Sequence, residues 1–526
     1  MGNGVWRCGA AIIALAVAMP AAAQQLPTAQ TASGTVEGSV SPDGKVRVFA
    51  GIPYAKPPVG ALRWQPPQAE AAWTGVRKAT SFGNRCVQGG GFDDMVFRDP
   101  QQSEDCLYLN VWTSAASARA KLPVMVWIYG GGFQGGGSSE PRQDGAALAH
   151  KGVIVVSMNY RLGVFGFFSH PELIQESPHH ASGNYGLLDQ AAALAWVRKN
   201  IAAFGGDPNN VTIFGESAGS ISVSAQMASP VSKGLFNRAI GESGGIAEWQ
   251  TRMKPATETG KTGEAFAQAA GASNLAALRA MSTDQIIQAT KAKKGLQFWP
   301  NVDGYFFPED PMAIYAAGKQ AHVPLLAGWN ADEHRSYQYF QNLEPTQENY
   351  LKKLDEDFGA DAPAVRKLFP GDTPEQIETS AHDLASALFI TYSTWKWIEL
   401  QGKTGGAPVY RYRFDQPIPQ EPGKRPRGTH HASDITFVFG NLSARNLPWN
   451  ADHQAMSDIM TSYWSNFAKK GDPNGPGLPV WPRYSPKAGY KVMHLQVRPG
   501  VKPQAKPAAD RAQYELLDQL AQKRRD

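Results

Sequence analysis

Apolar runs and helix-period stretches alternate along most of this chain. Residues 121–130, KLPVMVWIYG, form a β-branched apolar run closed by glycine, and residues 152–161, GVIVVSMNYR, form a second. Both predict buried strands, because a strand covered on both faces reads as a continuous apolar run. The period then changes over 185–206. Leu187, Leu188, Ala191, Leu194, Ala195 and Val197 fall near one face of a helix that Gly205-Gly206 should end. A strand at 209–215 and a helix at 217–229 follow, with shorter strand candidates at 236–243, 323–330 and 407–415. Strand, helix, strand in this order predicts parallel strands with crossover helices, an α/β fold with a mostly parallel sheet. Residues 344–402 look mostly helical and interrupt the alternation, as a cap or flank over a sheet edge would. Residues 508–525 read as a terminal amphipathic helix. No repeat, low-complexity block or linker divides the chain, so residues 24–526 are expected to form one domain.

Composition narrows the function classes. The 526 residues are 42% hydrophobic and 18% charged, which suits a folded protein. A net charge of +5, or +4 without Arg7, is too weak and dispersed for a nucleic-acid footprint. The one basic run, Lys523–Arg525, reads as a solvated tail. At the other end, Arg7, the apolar run Cys8–Met19 and Ala21-Ala22-Ala23 make a signal-peptide pattern over residues 1–23. That run is short for a membrane span, and no later segment is long and apolar enough for one. The protein is therefore expected to be exported, to the periplasm or beyond. Outside the leader only Cys86 and Cys106 remain, and an even count in an exported chain favours a disulfide. No metal motif is present and the chemistry below requires no metal or organic cofactor.

Two pentapeptides, GESAG at 215–219 and GESGG at 241–245, fit a nucleophile elbow, a serine on a sharp strand-to-helix turn. The pattern alone is weak. Ser217 follows a strand and opens a helix, whereas Ser243 follows a strand but precedes no helical period, so Ser217 is the expected nucleophile. A serine needs a base, and its attack on a carbonyl needs oxyanion donors. The glycine run in WIYGGGFQGGG (127–137) offers backbone N–H groups at Gly131 and Gly132, with Ala218 beside the nucleophile. For this architecture the acid and histidine follow the serine in the chain. Asp332 and Glu333 come directly after a strand candidate, and His430 and His431 sit in a turn after another. Spacing alone separates neither pair.

Motifs across nearly all of the chain resemble the type-B carboxylesterase family, which includes the cholinesterases. They include FAGIPYAKPPVGALRW (49–64), SEDCLYLNVW (103–112), VMVWIYGGGF (124–133), NYRLGVFGF (159–167), LLAGWNADE (325–333) and HASDITFVFG (431–440), along with the elbow and the helix before it. The resemblance, to a bacterial-type exported member, implies an α/β-hydrolase fold with helical insertions forming a cap or gorge rim. It also implies Ser217, Glu333 and His431 as a triad, Gly131, Gly132 and Ala218 as oxyanion donors, and a Cys86–Cys106 disulfide. A second serine of the family supports the site from behind, and GESGG resembles its segment. Some positions depart from the pattern. His334 stands where the family has glycine after the acid, Ala432 where it has glycine after the histidine, and Asp434 where it has glutamate. Val96 replaces the tryptophan that cholinesterases use for choline, with Phe97 one position out of register, which counts against a choline ester. Phe298 is a candidate pocket residue, and Phe133, Trp299, Tyr337 and Phe340 are further aromatics that either line a pocket or fill core.

The expected chemistry is hydrolysis of a small-molecule carboxylic ester through an acyl-enzyme, with activity falling below about pH 6–7 as the histidine protonates. The competing readings are a non-catalytic, adhesion-type member of the fold, and an amide or carbamate hydrolase using the same triad.

Overall fold

The computed structural model describes residues 26–525 apart from 91, 93, 248–252, 294, 421–422 and 424–427, together with residues 1, 2 and 4. The apolar run and cleavage site of the predicted leader lie outside the described residues.

Eleven strands make the central sheet: β1 (Ser39–Val40), β2 (Arg47–Pro53), β3 (Tyr108–Thr113), β4 (Leu122–Ile128), β5 (Ile154–Met158), β6 (Gly206–Glu216), β7 (Arg238–Glu242), β8 (Leu325–Asn330), β9 (Val409–Phe414), β10 (Lys491–Leu495) and β11 (Gln504–Pro507). Their spatial order is β11-β10-β9-β8-β7-β6-β4-β5-β3-β2-β1. Pairing is parallel from β5 through β4 and β6 to β10. It is antiparallel at the two margins, among β1, β2, β3 and β5, and between β10 and β11. The parallel centre follows from the sequence: Val124–Ile128 and Ile154–Met158 are buried throughout, as strands covered on both faces must be.

Helices cover the sheet. The two that the alternation predicts are α1 (Tyr185–Asn200) and α2 (Ala218–Ala228). Three more are α3 (Tyr392–Thr404), α4 (Ala451–Lys470) and α5 (Arg511–Arg525). Helix α2 packs on β6 and β7, α3 on β8 and β9, and α4 on β4 and β6. One detail of the α1 prediction fails. Ala195 is exposed, while Tyr185, Asp189 and Trp196 on other faces are buried. The helix is covered nearly all round, so its apolar positions do not form a single stripe. It passes into a short 3-10 turn, Ile201–Phe204, and the chain reverses at Gly205 with φ 90°.

The region 344–402 is helical as expected: Gln347–Phe358, Ala362–Leu368 and Pro374–Ser386, then a single π turn, Ala387–Thr391, that leads into α3. Cys86 and Cys106 form the expected disulfide. Closing a loop of this size contributes about 3 kcal/mol in the chain-entropy account. Among the described residues no helix is long and apolar enough to cross a membrane.

Candidate active site

The C-terminal ends of the parallel strands carry the site. Strand β6 ends at Glu216 and α2 begins at Ala218, which leaves Ser217 alone on the corner with φ 56° and ψ −124°. That positive φ is costly for a residue with a side chain, and it is the strained strand-to-helix corner that the elbow pattern predicts. The corner folds this tightly because its flanks are glycine. A Cβ on Gly219 would lie 2.0 Å from the carbonyl oxygen of Ile128 at the end of β4.

Three side chains, distant in sequence, meet here. The Ser217 hydroxyl lies 2.9 Å from His431 Nε2, and His431 Nδ1 lies 2.5 Å from Glu333 Oε2. A carboxylate only accepts, so the proton sits on Nδ1 and Nε2 is left to accept from the serine. The other Glu333 oxygen accepts from the Ser243 hydroxyl and, at 2.7 Å, from the backbone N–H of Asn330. Ser243 is fully buried. Of the two GxSxG serines, only Ser217 faces the histidine.

The geometry also separates the pairs that spacing left open. Asp332 accepts from the Thr429 N–H at 2.7 Å and lies 3.4 Å from His382, so it ties the acid turn to the histidine loop. His430 forms an isolated bridge with Asp332 rather than reaching the serine. Ala432 has φ 64°, a conformation that a glycine would adopt at less cost.

The glycine turn after β4 lies across from the elbow. Gly131 has φ 108°, and a Cβ there would meet the Gly135 carbonyl oxygen at 2.2 Å. Among the described residues no acceptor is paired with the N–H groups of Gly131, Gly132 or Ala218. Gly132 and Ala218 line the same cavity as Ser217. Unpaired N–H groups beside a nucleophile suit a developing oxyanion, and the N-terminus of α2 adds to that field.

Sequence reasoning gave no role to a set of buried acids beneath the histidine, although it noted Asp434 as a departure from the family pattern. Glu216, the variable residue of GESAG, is buried with Oε1 3.3 Å from His431 Nε2. Asp434 accepts from Asn330 at 3.1 Å and from the Tyr412 hydroxyl at 2.9 Å, and Glu242 accepts from Trp464 at 2.7 Å. The Glu of each pentapeptide, GESAG and GESGG, and the Asp of H-A-S-D are the sequence signals that could have pointed to them. Burial pushes Glu216 up to about 8 and Asp434 up to about 6. For His431 burial opposes the charge, but the Glu216 and Glu333 carboxylates outweigh it and raise the ring to about 9.

For a ring that acts as base in its neutral form, this raised value predicts an acid limb of activity above the pH 6–7 expected from sequence. Replacing Glu216 by Gln removes the nearest opposing charge at nearly constant volume. We expect Glu216→Gln to shift the acid limb of kcat/KM downward by about one pH unit. A pH–rate profile checks this, and a limb that stays in place contradicts it.

A cavity of about 500 Å³ opens over Ser217, lined among others by Ile221, Ile246, Trp299 and Phe389. A second, of about 700 Å³, adjoins it, and Gly132 and Trp299 border both. Phe298 lines the second cavity and packs on Phe266 and Phe168, so it combines the pocket and core roles left open by sequence. Phe133 is core, edge-on to Trp299, and Phe340 is also buried, whereas Tyr337 is 66% exposed. Val96 is exposed, and the Arg85 guanidinium lies 4.7 Å from the centre of the Phe97 ring.

Comparison with known proteins bears on the family and the fold. The model of the carboxylesterase family matches residues 25–514. The fumonisin B1 esterase of Sphingopyxis macrogoltabida is 35% identical over 92% of this chain and 90% of its own. The para-nitrobenzyl esterase of Bacillus subtilis is 38% identical over 86% of this chain and 92% of its own. A solved PNB esterase structure superposes with a TM-score of 0.78 at 35% identity, covering 93% of this chain and 99% of that one. Sequence and fold match at these levels along nearly the whole length, and the chain belongs to the carboxylesterase family of ester hydrolases.

Proposed function

We propose that this protein is an exported serine carboxylesterase that hydrolyses carboxylic esters through an acyl-enzyme. The observation that carries the reading is the unbroken line Ser217–His431–Glu333, with hydrogen bonds of 2.9 and 2.5 Å. In the first half-reaction His431 Nε2 takes the hydroxyl proton as Ser217 Oγ attacks the ester carbonyl. The N–H groups of Gly131, Gly132 and Ala218 hold the oxyanion. The imidazolium, held by Glu333, then gives its proton to the departing alkoxide, and the alcohol leaves. In the second half His431 takes a proton from water, which attacks the acyl-enzyme. Collapse releases the acid and returns the proton to Ser217.

An assembled triad beside free N–H donors counts against a purely adhesive role. The largely apolar wall of Ile221, Ile246, Trp299 and Phe389 suits an ester with apolar bulk. Export is supported by the disulfide and by the N-terminal signal pattern.

A shared acyl-enzyme makes a kinetic prediction. Esters of one acid with different alcohols, hydrolysed in the presence of methanol, should yield free acid and methyl ester in one fixed ratio. A ratio that changes with the leaving alcohol contradicts the intermediate.

A further inference from the structure

His334, directly after the acid, stands where the resemblance leads one to expect glycine, and its ring is engaged. It stacks face to face on Phe389, with centroids 3.8 Å apart and planes 4° from parallel. Phe389 in turn sets its ring against the His431 imidazole, with centroids 5.0 Å apart at 74°. Phe389 belongs to the π turn Ala387–Thr391, and residues 387–390 line the cavity over Ser217. Single π turns of this kind often occur at functional sites. Phe389 is 41% exposed, so core packing does not immobilise its ring; imidazole rings flank it instead. The His334 backbone is itself clamped to the start of that turn. Its N–H donates to the Ser386 hydroxyl at 3.2 Å, and that hydroxyl contacts the His334 carbonyl at 3.0 Å.

We infer that His334 is a positioning and specificity-determining residue. By stacking on Phe389 it fixes that ring as the wall of the cavity beside the catalytic imidazole, and so limits the bulk of ester the site accepts. The inference rests on the Ser217–His431 reading above. The ring can do this without opposing catalysis, because it stays neutral at working pH. Burial, reinforced by the neighbouring His431, depresses it to about 4. No second positive charge then faces the imidazolium as it forms.

The test compares p-nitrophenyl acetate with p-nitrophenyl benzoate. In His334→Gly, Phe389 loses its stacking partner. An aromatic pair of this kind is sufficient for a three- to about tenfold effect. The benzoate-to-acetate ratio of kcat/KM should rise by that factor, with acetate losing kcat more than KM. His334→Phe, which keeps a flat ring at the stack, should restore the wild-type ratio, which a general loss of folding would not permit. Phe389→Ala should reproduce the His334→Gly change, and the double variant should add nothing further, because both act through one contact. An unchanged ratio in His334→Gly, or independent additive effects in the double variant, would overturn the inference. Fluorophosphonate labelling of the wild-type enzyme distinguishes the two levels. If Ser217 takes no label, the proposed function has failed. If it does and the ratio is unmoved, only the role of His334 has.

Discussion

Ser217→Ala should lower kcat/KM on a p-nitrophenyl ester by roughly 10⁴–10⁶ while leaving the fold intact. In the proposed mechanism the hydroxyl is the atom that bonds to the acyl carbon, so its loss removes the covalent route itself. The nearby Ser243 offers no substitute. Its hydroxyl is fully buried and donates to Glu333, facing away from the cavity. What remains in the variant is weak assistance by the oxyanion donors to direct attack by water. Structural damage should be slight, since among the described residues the Ser217 side chain hydrogen-bonds only to His431 and alanine fits the same corner. A steady-state assay with a melting curve checks both halves. Residual activity within tenfold of wild type would exclude Ser217 as nucleophile.

Glu333→Gln should be nearly as damaging, for a different reason. Its Oε1 accepts from Asn330 N–H and from Ser243 Oγ, and its Oε2 faces His431 Nδ1. In glutamine the amide oxygen keeps the two donors behind it, which turns the NH₂ group toward the imidazole. Nδ1 must then accept, the proton moves to Nε2, and Nε2 can no longer take one from Ser217. The variant loses both the correct tautomer and the charge that stabilises the imidazolium. We expect kcat to fall by about 10³–10⁴ with KM within a few-fold of wild type. Burst-free, single-turnover kinetics on the same ester would show the loss in acylation. A fall of less than tenfold would mean that Glu333 does not orient the base.

Much of this architecture was legible because burial on both faces leaves strands with continuous apolar runs. The segments around Val124–Ile128, Ile154–Met158, Val211–Phe214 and Leu325–Asn330 all lie within the parallel centre of the sheet. The antiparallel strands β2 and β3 drew no strand prediction: their residues fall inside motifs recognised as family patterns rather than as a period. Ala195 was misplaced because a helix enclosed on most sides has no single apolar stripe to read. Within the site, residue type and chain order led to the elbow, the glycine turn and two adjacent pairs of candidates. Spacing alone could not choose Glu333 over Asp332, or His431 over His430, because a loop carries no period that reveals which way each neighbour points; only the family resemblance made that choice in sequence. The burial and clustering of the Glu216, Asp434 and Glu242 carboxylates could not be read for a related reason. A buried acid is defined by what surrounds it, and those surroundings come from four distant strands and the segments after them.

The central claim is that Ser217 alone is activated to attack. Its most direct test is to treat the intact protein with a fluorophosphonate, weigh it, and map the modified peptide. The account predicts one adduct per chain, on the peptide holding residues 215–219, forming more slowly at low pH as His431 takes up a proton. An adduct on Ser243, or a chain that stays unmodified while still hydrolysing esters, would contradict it.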